Sequence, residues 1–139
     1  MGNMTSPVGN VLTVMIVEDD PSTVALLTTL LNLEGYAVKT PKNHRPQGLL
    51  SSIRDEHPQV VLIDVNLSTG NGLDLVRFIR SEPDLSNISI LVTSGLNLKK
   101  ESLQMGADNF IQKPFMPDEL IKLIQKTYHQ SLIVQPQKE

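Results

Sequence analysis

The chain has no cysteine. That excludes a disulfide framework and any thiolate metal site, and leaves an apolar core to hold the fold. A reducing compartment suits such a protein, so a cytoplasmic location is expected. Long hydrophobic runs are also missing. The longest, such as residues 60–63 and residues 88–92 with Ser89 breaking the latter, fall far short of the roughly 20 residues of a membrane span, and no membrane association is expected. Clustered positive charge is absent as well: 12 Lys and Arg against 15 Asp and Glu give a formal net charge of −3, and Lys99-Lys100 is the only basic pair. Direct nucleic-acid binding needs Lys and Arg grouped against phosphates and is not expected.

What is present is enough for one domain. A chain of 139 residues, 40% of them hydrophobic, buries roughly two-thirds of its unfolded surface. Met1-Gly2-Asn3-Met4-Thr5-Ser6 formally fits a myristoylation pattern. No polybasic second anchor follows, and residues 1–10 are expected to be a flexible leader. The domain itself is expected over residues 11–130, with 131–139 a tail or the start of a linker.

Short Val- and Ile-rich runs at 11–17, 36–39, 60–63, 88–92 and 109–112 predict five strands. Between them lie segments of helical period. Val24, Leu27, Leu30 and Leu31 share one face of a helix that Asp20 caps, Pro21 opens and Gly35 stops. Leu49, Leu50 and Ile53 mark a second helix. Leu73, Val76 and Ile79 mark a third that ends before Pro83, and residues 98–105 a short fourth. A fifth starts at Pro117 and runs to about residue 130, with Leu120, Ile121, Leu123 and Ile124 inward. Strict alternation of strand and helix implies an α/β fold: a doubly wound parallel sheet with helices on both faces. In such sheets functional groups gather beyond the carboxyl ends of the strands.

Those ends carry Glu18-Asp19-Asp20, Asp64, Thr93-Ser94 and Lys113-Pro114. Three carboxylates on one rim repel one another unless positive charge lies among them. Lys113 and a hard cation are the natural answers, and oxygen ligands with water favour Mg²⁺. An aspartate beside such a cation, with a hydroxyl and an ammonium opposite, suits phosphoryl transfer. The plainer reading, that acids after strands are caps and loop solubilisers, is preferred for Asp20 alone.

On MIVEDDP, VVLIDVNLSTGNGLDL, ILVTSG and GADNFIQKPF, the chain resembles a response-regulator receiver domain over residues 12–130. The resemblance implies a five-stranded flavodoxin-like sheet of order 2-1-3-4-5 and a phosphoryl group passing from a histidine kinase or histidine phosphotransfer protein onto Asp64. It also implies Asp19 as direct metal ligand, Glu18 acting through water, Asn66 giving a backbone carbonyl to the metal, Lys113 binding the phosphoryl group, and Thr93 with Phe110 as the switch. The implied output is a changed surface around the fourth helix, fifth strand and fifth helix, met by a downstream protein or a second copy. Relatives often have proline where Ser68 stands, residues 41–47 are irregular for the entry to the second helix, and a short span from Thr93 to Lys113 implies a short fourth helix.

Two other functions compete. A haloacid-dehalogenase-type phosphohydrolase uses a similar set but needs an acid two residues after its nucleophile, where Asn66 stands. An inert interaction module with this fold would carry no phosphoryl chemistry. Gly70-Asn71-Gly72 starts like a dinucleotide fingerprint but has Leu75 in place of the third glycine, and is expected to be only a turn. Asp64, Asn66 and Ser68 imitate calcium-loop spacing without the required glycine or terminal glutamate. His44, His57 and His129 lack metal-ligand spacing and are expected to be solvent-facing or locally bonded.

Overall fold

The computed structural model describes residues 11–134. The expected leader, and residues 135–139 of the expected tail, lie outside the described residues. The strands are β1 (Thr13–Val17), β2 (Ala37–Lys39), β3 (Val60–Asp64), β4 (Asn66–Leu67), β5 (Gly70–Asn71), β6 (Ser89–Ser94) and β7 (Asn109–Gln112). The helices are α1 (Pro21–Leu33), α2 (Pro46–Glu56), α3 (Gly72–Arg80), α4 (Lys99–Met105) and α5 (Pro117–Val134). Five strands form one parallel sheet of order β2-β1-β3-β6-β7. This is the expected 2-1-3-4-5 order once the antiparallel β4/β5 pair is set aside.

Strand alternation builds a core on each face. Val17, Val61, Ile63, Ile90 and Val92 pack with Leu49, Ile53, Val76 and Ile79 of α2 and α3. Val14, Ile16, Leu62 and Leu91 pack with Leu27 and Leu31 of α1 and Leu120 and Ile124 of α5. The central strands are buried on both sides, which is why they read as continuous apolar runs.

The capping signals hold. Asp20 accepts from the Thr23 amide at 3.0 Å and from its hydroxyl at 2.6 Å, and Pro21 opens α1. The fourth helix is short, at 7 residues. α5 instead runs four residues past its expected end near Gln130. Ser131, Leu132, Ile133 and Val134 include neither glycine nor proline to break the helix.

The segment 70–72 is more than a turn. Asn71 caps α3 by accepting from the Leu73 amide at 2.8 Å, and the Gly72 amide donates to the Val65 carbonyl at 2.7 Å. A Cβ on Gly72 would sit 2.1 Å from the Asp64 carbonyl oxygen. Only glycine allows that approach, so α3 starts flush against the end of β3. Gly72→Ala should therefore cost roughly 1–3 kcal/mol in denaturant unfolding. A wild-type midpoint would show that the helix start slides away freely.

Candidate functional site

Four strand ends bring the expected groups to one rim. β1 delivers Glu18, whose side chain is 7% exposed and accepts from the Asp20 amide at 3.1 Å. β3 ends on Asp64, 6% exposed, whose Oδ1 accepts from the Asn66 amide at 3.1 Å. β7 leads to Lys113, anchored by its amide to the Ser94 carbonyl at 2.8 Å and followed by a cis peptide bond to Pro114. Its Nζ reaches Asp64 Oδ2 at 3.0 Å and Glu18 Oε1 at 3.2 Å. One ammonium thus sits between two buried carboxylates.

β6 supplies Thr93, directly paired in register with Asp64 and 3% exposed. Its hydroxyl is one of two buried side-chain polar atoms without a hydrogen-bond partner among the described residues, the other being that of Ser89. Such a group costs free energy, so it marks a place where another oxygen belongs. A small cavity beside Asp64, Thr93 and Lys113 reaches down to Leu62 and Phe115. Thr93→Val keeps the shape and deletes the orphan. In the unphosphorylated chain it should raise stability by about 1 kcal/mol in denaturant melts, whereas a loss would show that the hydroxyl has a partner.

Burial pushes the Glu18 carboxyl above its ordinary pKa. The Asp20 amide and Lys113 pull it back, and the Asp64 carboxylate adds to the rise. Burial works against the Lys113 ammonium, but Asp64 and Glu18 outweigh it and hold its pKa above the usual lysine value.

Asp19 lies apart from this group. Its Oδ2 accepts from the Ser68 amide in a short hydrogen bond, and its Oδ1 pairs with His44 Nδ1 at 2.8 Å. The Ser68 amide, and then His44, hold the Asp19 pKa below its ordinary value. Among the described residues no three His, Cys, Asp or Glu side chains are gathered to hold a metal. Glu18 and Asp64 converge, and Asp19 is turned outward.

Phe110 is partly buried and, like Ile88, Leu98 and Met105, packs against the core on the α2 and α3 face. It pairs in register with Val92, and Thr93 pairs with Ile111. Alternation therefore sets Phe110 and Thr93 on opposite faces of the sheet. His129 is locally bonded, to the Gln125 carbonyl. His57 takes a left-handed conformation, φ 53°, at the end of α2. The roles of His44, Ser68 and Gly72 around the site were not legible in the spacing. Only the glycine at the first turn of α3 offered a signal.

A doubly wound sheet with acid, hydroxyl and lysine at adjoining strand ends defines a class of domain, and comparison gives the family. The model of the response regulator receiver domain matches residues 14–125: the chain belongs to the receiver domains of two-component response regulators. It is 31% identical to the DNA-binding response regulator MtrA of Mycolicibacterium smegmatis over 78% of this chain and 46% of that protein. It is 32% identical to the probable transcriptional regulator ycf27 of Galdieria sulphuraria over 77% of this chain and 41% of that one. The match thus spans less than half the length of either relative. The chemotaxis response regulator CheY4 of Vibrio cholerae superposes with a TM-score of 0.76 at 25% identity, covering 85% of this chain and 99% of that one.

Proposed function

We propose that Asp64 accepts a phosphoryl group from a phosphohistidine on a histidine kinase or phosphotransfer protein, and that Thr93 and Lys113 read its arrival. The observation that carries this is the unpartnered Thr93 hydroxyl, buried in register beside Asp64. Asp64 Oδ attacks phosphorus as the bond to the histidine nitrogen breaks. The Lys113 ammonium, already 3.0 Å from Asp64, then binds a phosphoryl oxygen, and the Thr93 hydroxyl donates to another.

The donor set suits Mg²⁺, a hard cation that takes one or two carboxylates, carbonyl oxygen and water. Asp64, Asp19 and the Asn66 carbonyl would hold it, with Glu18 acting through water. When bound it would neutralise charge on the phosphoryl oxygens. Asp19 would turn from its His44 contact to take part.

Output follows from two states of the β6 end. Because Thr93 and Phe110 lie on opposite faces, coupling runs through the β6 backbone and the 95–98 loop to Leu98 and Phe110, each of which packs against the core on the α2 and α3 face. The surface of α4, β7 and α5, where Leu103 and Met116 are exposed, would then meet a downstream protein or a second copy. DNA binding belongs to MtrA by its name. For the present domain, residues 11–130 with the end of α5 added, we place no nucleic acid at the site. Among the described residues no helix is long and apolar enough to cross a membrane, and a cytoplasmic location is part of the proposal.

The chain acts as a phosphoacceptor that catalyses only its own phosphorylation and dephosphorylation. A dehalogenase-type hydrolase would need an acid at Asn66. Incubation with acetyl phosphate tests the reading: one phosphoryl mass on Asp64, formed with Mg²⁺ and lost in chelator, is expected. No labelling would mark the domain as an inert interaction module, and turnover of small phosphate esters would restore the hydrolase.

A further inference from the structure

The Asp19 carboxylate has both oxygens engaged, and both partners come from loops outside the acidic group. Oδ1 takes His44 Nδ1 at 2.8 Å, and Oδ2 takes the Ser68 amide. The two loops are themselves tied, since the Thr69 hydroxyl donates to the His44 carbonyl at 3.2 Å. The turn carrying His44 is set by Asn43, whose Oδ1 accepts from the Arg45 amide at 2.9 Å. The His44 side chain is only 16% exposed, against 32% for that of Asp19. Glu18 and Asp64, by contrast, share Lys113.

We propose that His44 is a positioning residue: with the Ser68 amide it latches Asp19 outside the Glu18–Asp64–Lys113 group, so that a divalent cation enters only by opening the latch. This rests on the reading of Asp64 and Asp19 as cation ligands. The latch opposes metal binding because His44 and the Ser68 amide hold the Asp19 carboxylate toward their own loops and draw on the charge a cation would use, so turning it toward Asp64 gives up the His44 contact. It also couples the site to the loop between β2 and α2. Occupancy by the cation frees His44 from Asp19, and the loop that carries it loosens.

Mg²⁺ titration of the full chain, followed by amide shifts in NMR or by calorimetry, tests the proposal. His44→Ala deletes the donor and should tighten Mg²⁺ binding about fivefold, the scale of one partly exposed competing hydrogen bond. His44→Asn places an amide N–H near the position of Nδ1 and should restore wild-type affinity. Damage to the fold would weaken binding in both variants, so a gain in one and rescue in the other is specific to the latch. In the wild type the His44 ring resonances should shift at saturating Mg²⁺, as the ring loses its Asp19 partner. Equal or weaker binding by His44→Ala, or His44 ring resonances unmoved in the metal-bound chain, would overturn the latch while leaving the cation site standing. A wild type that takes up no Mg²⁺ would overturn the site reading itself, and the latch with it.

Discussion

Asp64→Asn should reduce labelling by acetyl phosphate to below roughly 1% of wild type, because the change removes the attacking carboxylate and little else. The amide oxygen can still accept from the Asn66 amide, now at 3.1 Å from Asp64 Oδ1, and Lys113 keeps Glu18 as its partner at 3.2 Å. The fold should therefore persist. Stability in metal-free buffer should equal or exceed that of wild type: two buried carboxylates share one ammonium in the wild type, and the substitution leaves one of each. A melting temperature below wild type would show that the Lys113–Asp64 pair outweighs the repulsion between Asp64 and Glu18. Labelling at the wild-type level would place the acceptor elsewhere.

Lys113→Met should be the most destabilising change at the rim. It leaves Glu18 and Asp64, 7% and 6% exposed, facing each other with no positive charge between them. Breaking a fully buried pair costs roughly 3–5 kcal/mol. The Lys113 side chain is 32% exposed, so about 2 kcal/mol near neutral pH is the expected loss after solvent screening.

The loss should depend on pH with a definite sign. Glu18 already has a folded pKa above its ordinary 4.5, and burial is the first cause. Removing Lys113 deletes a contribution that lowers it. A carboxyl with a raised folded pKa binds more protons folded than unfolded, so stability falls as pH climbs from the unfolded value through the folded one. The deficit of Lys113→Met should accordingly shrink between about pH 8 and about pH 5 in metal-free melts. A deficit constant across that range would mean that the lost packing of the lysine stem, and not charge, is responsible. The raised pKa of Lys113 works in the other direction in the wild type. Its contribution is fully present below the ordinary 10.5 and is lost as pH rises through the folded value.

Much of this was legible in the residues. The five strands follow from short Val- and Ile-rich runs, because a strand buried on both faces must be apolar at every position. Asp20, Pro21 and Gly35 place the ends of α1 because capping and positive φ are local demands. Glu18, Asp64, Thr93 and Lys113 could be named because each directly follows or ends an apolar run, and in a parallel sheet all such ends lie on one rim. α5 passes its expected end near Gln130 because neither glycine nor proline stands among residues 131–134.

What only the tertiary structure decided lies in the loops. Asp19 adjoins Glu18 in sequence and matches its chemistry, yet one carboxylate turns inward to Lys113 and the other outward to His44 and the Ser68 amide. Phe110 lies three residues before Lys113, but strand alternation puts it on the face opposite Thr93. Gly72 reads as an ordinary turn residue until the Asp64 carbonyl is found where its Cβ would be. By itself the sequence determined the strands, the caps and the chemical kind of group at each strand end, since hydrophobic period and backbone conformation are set over a few neighbouring residues. The partner of each polar group was decided by the fold, because His44 and Asp19, or Gly72 and Asp64, meet through separate elements whose approach no local pattern records.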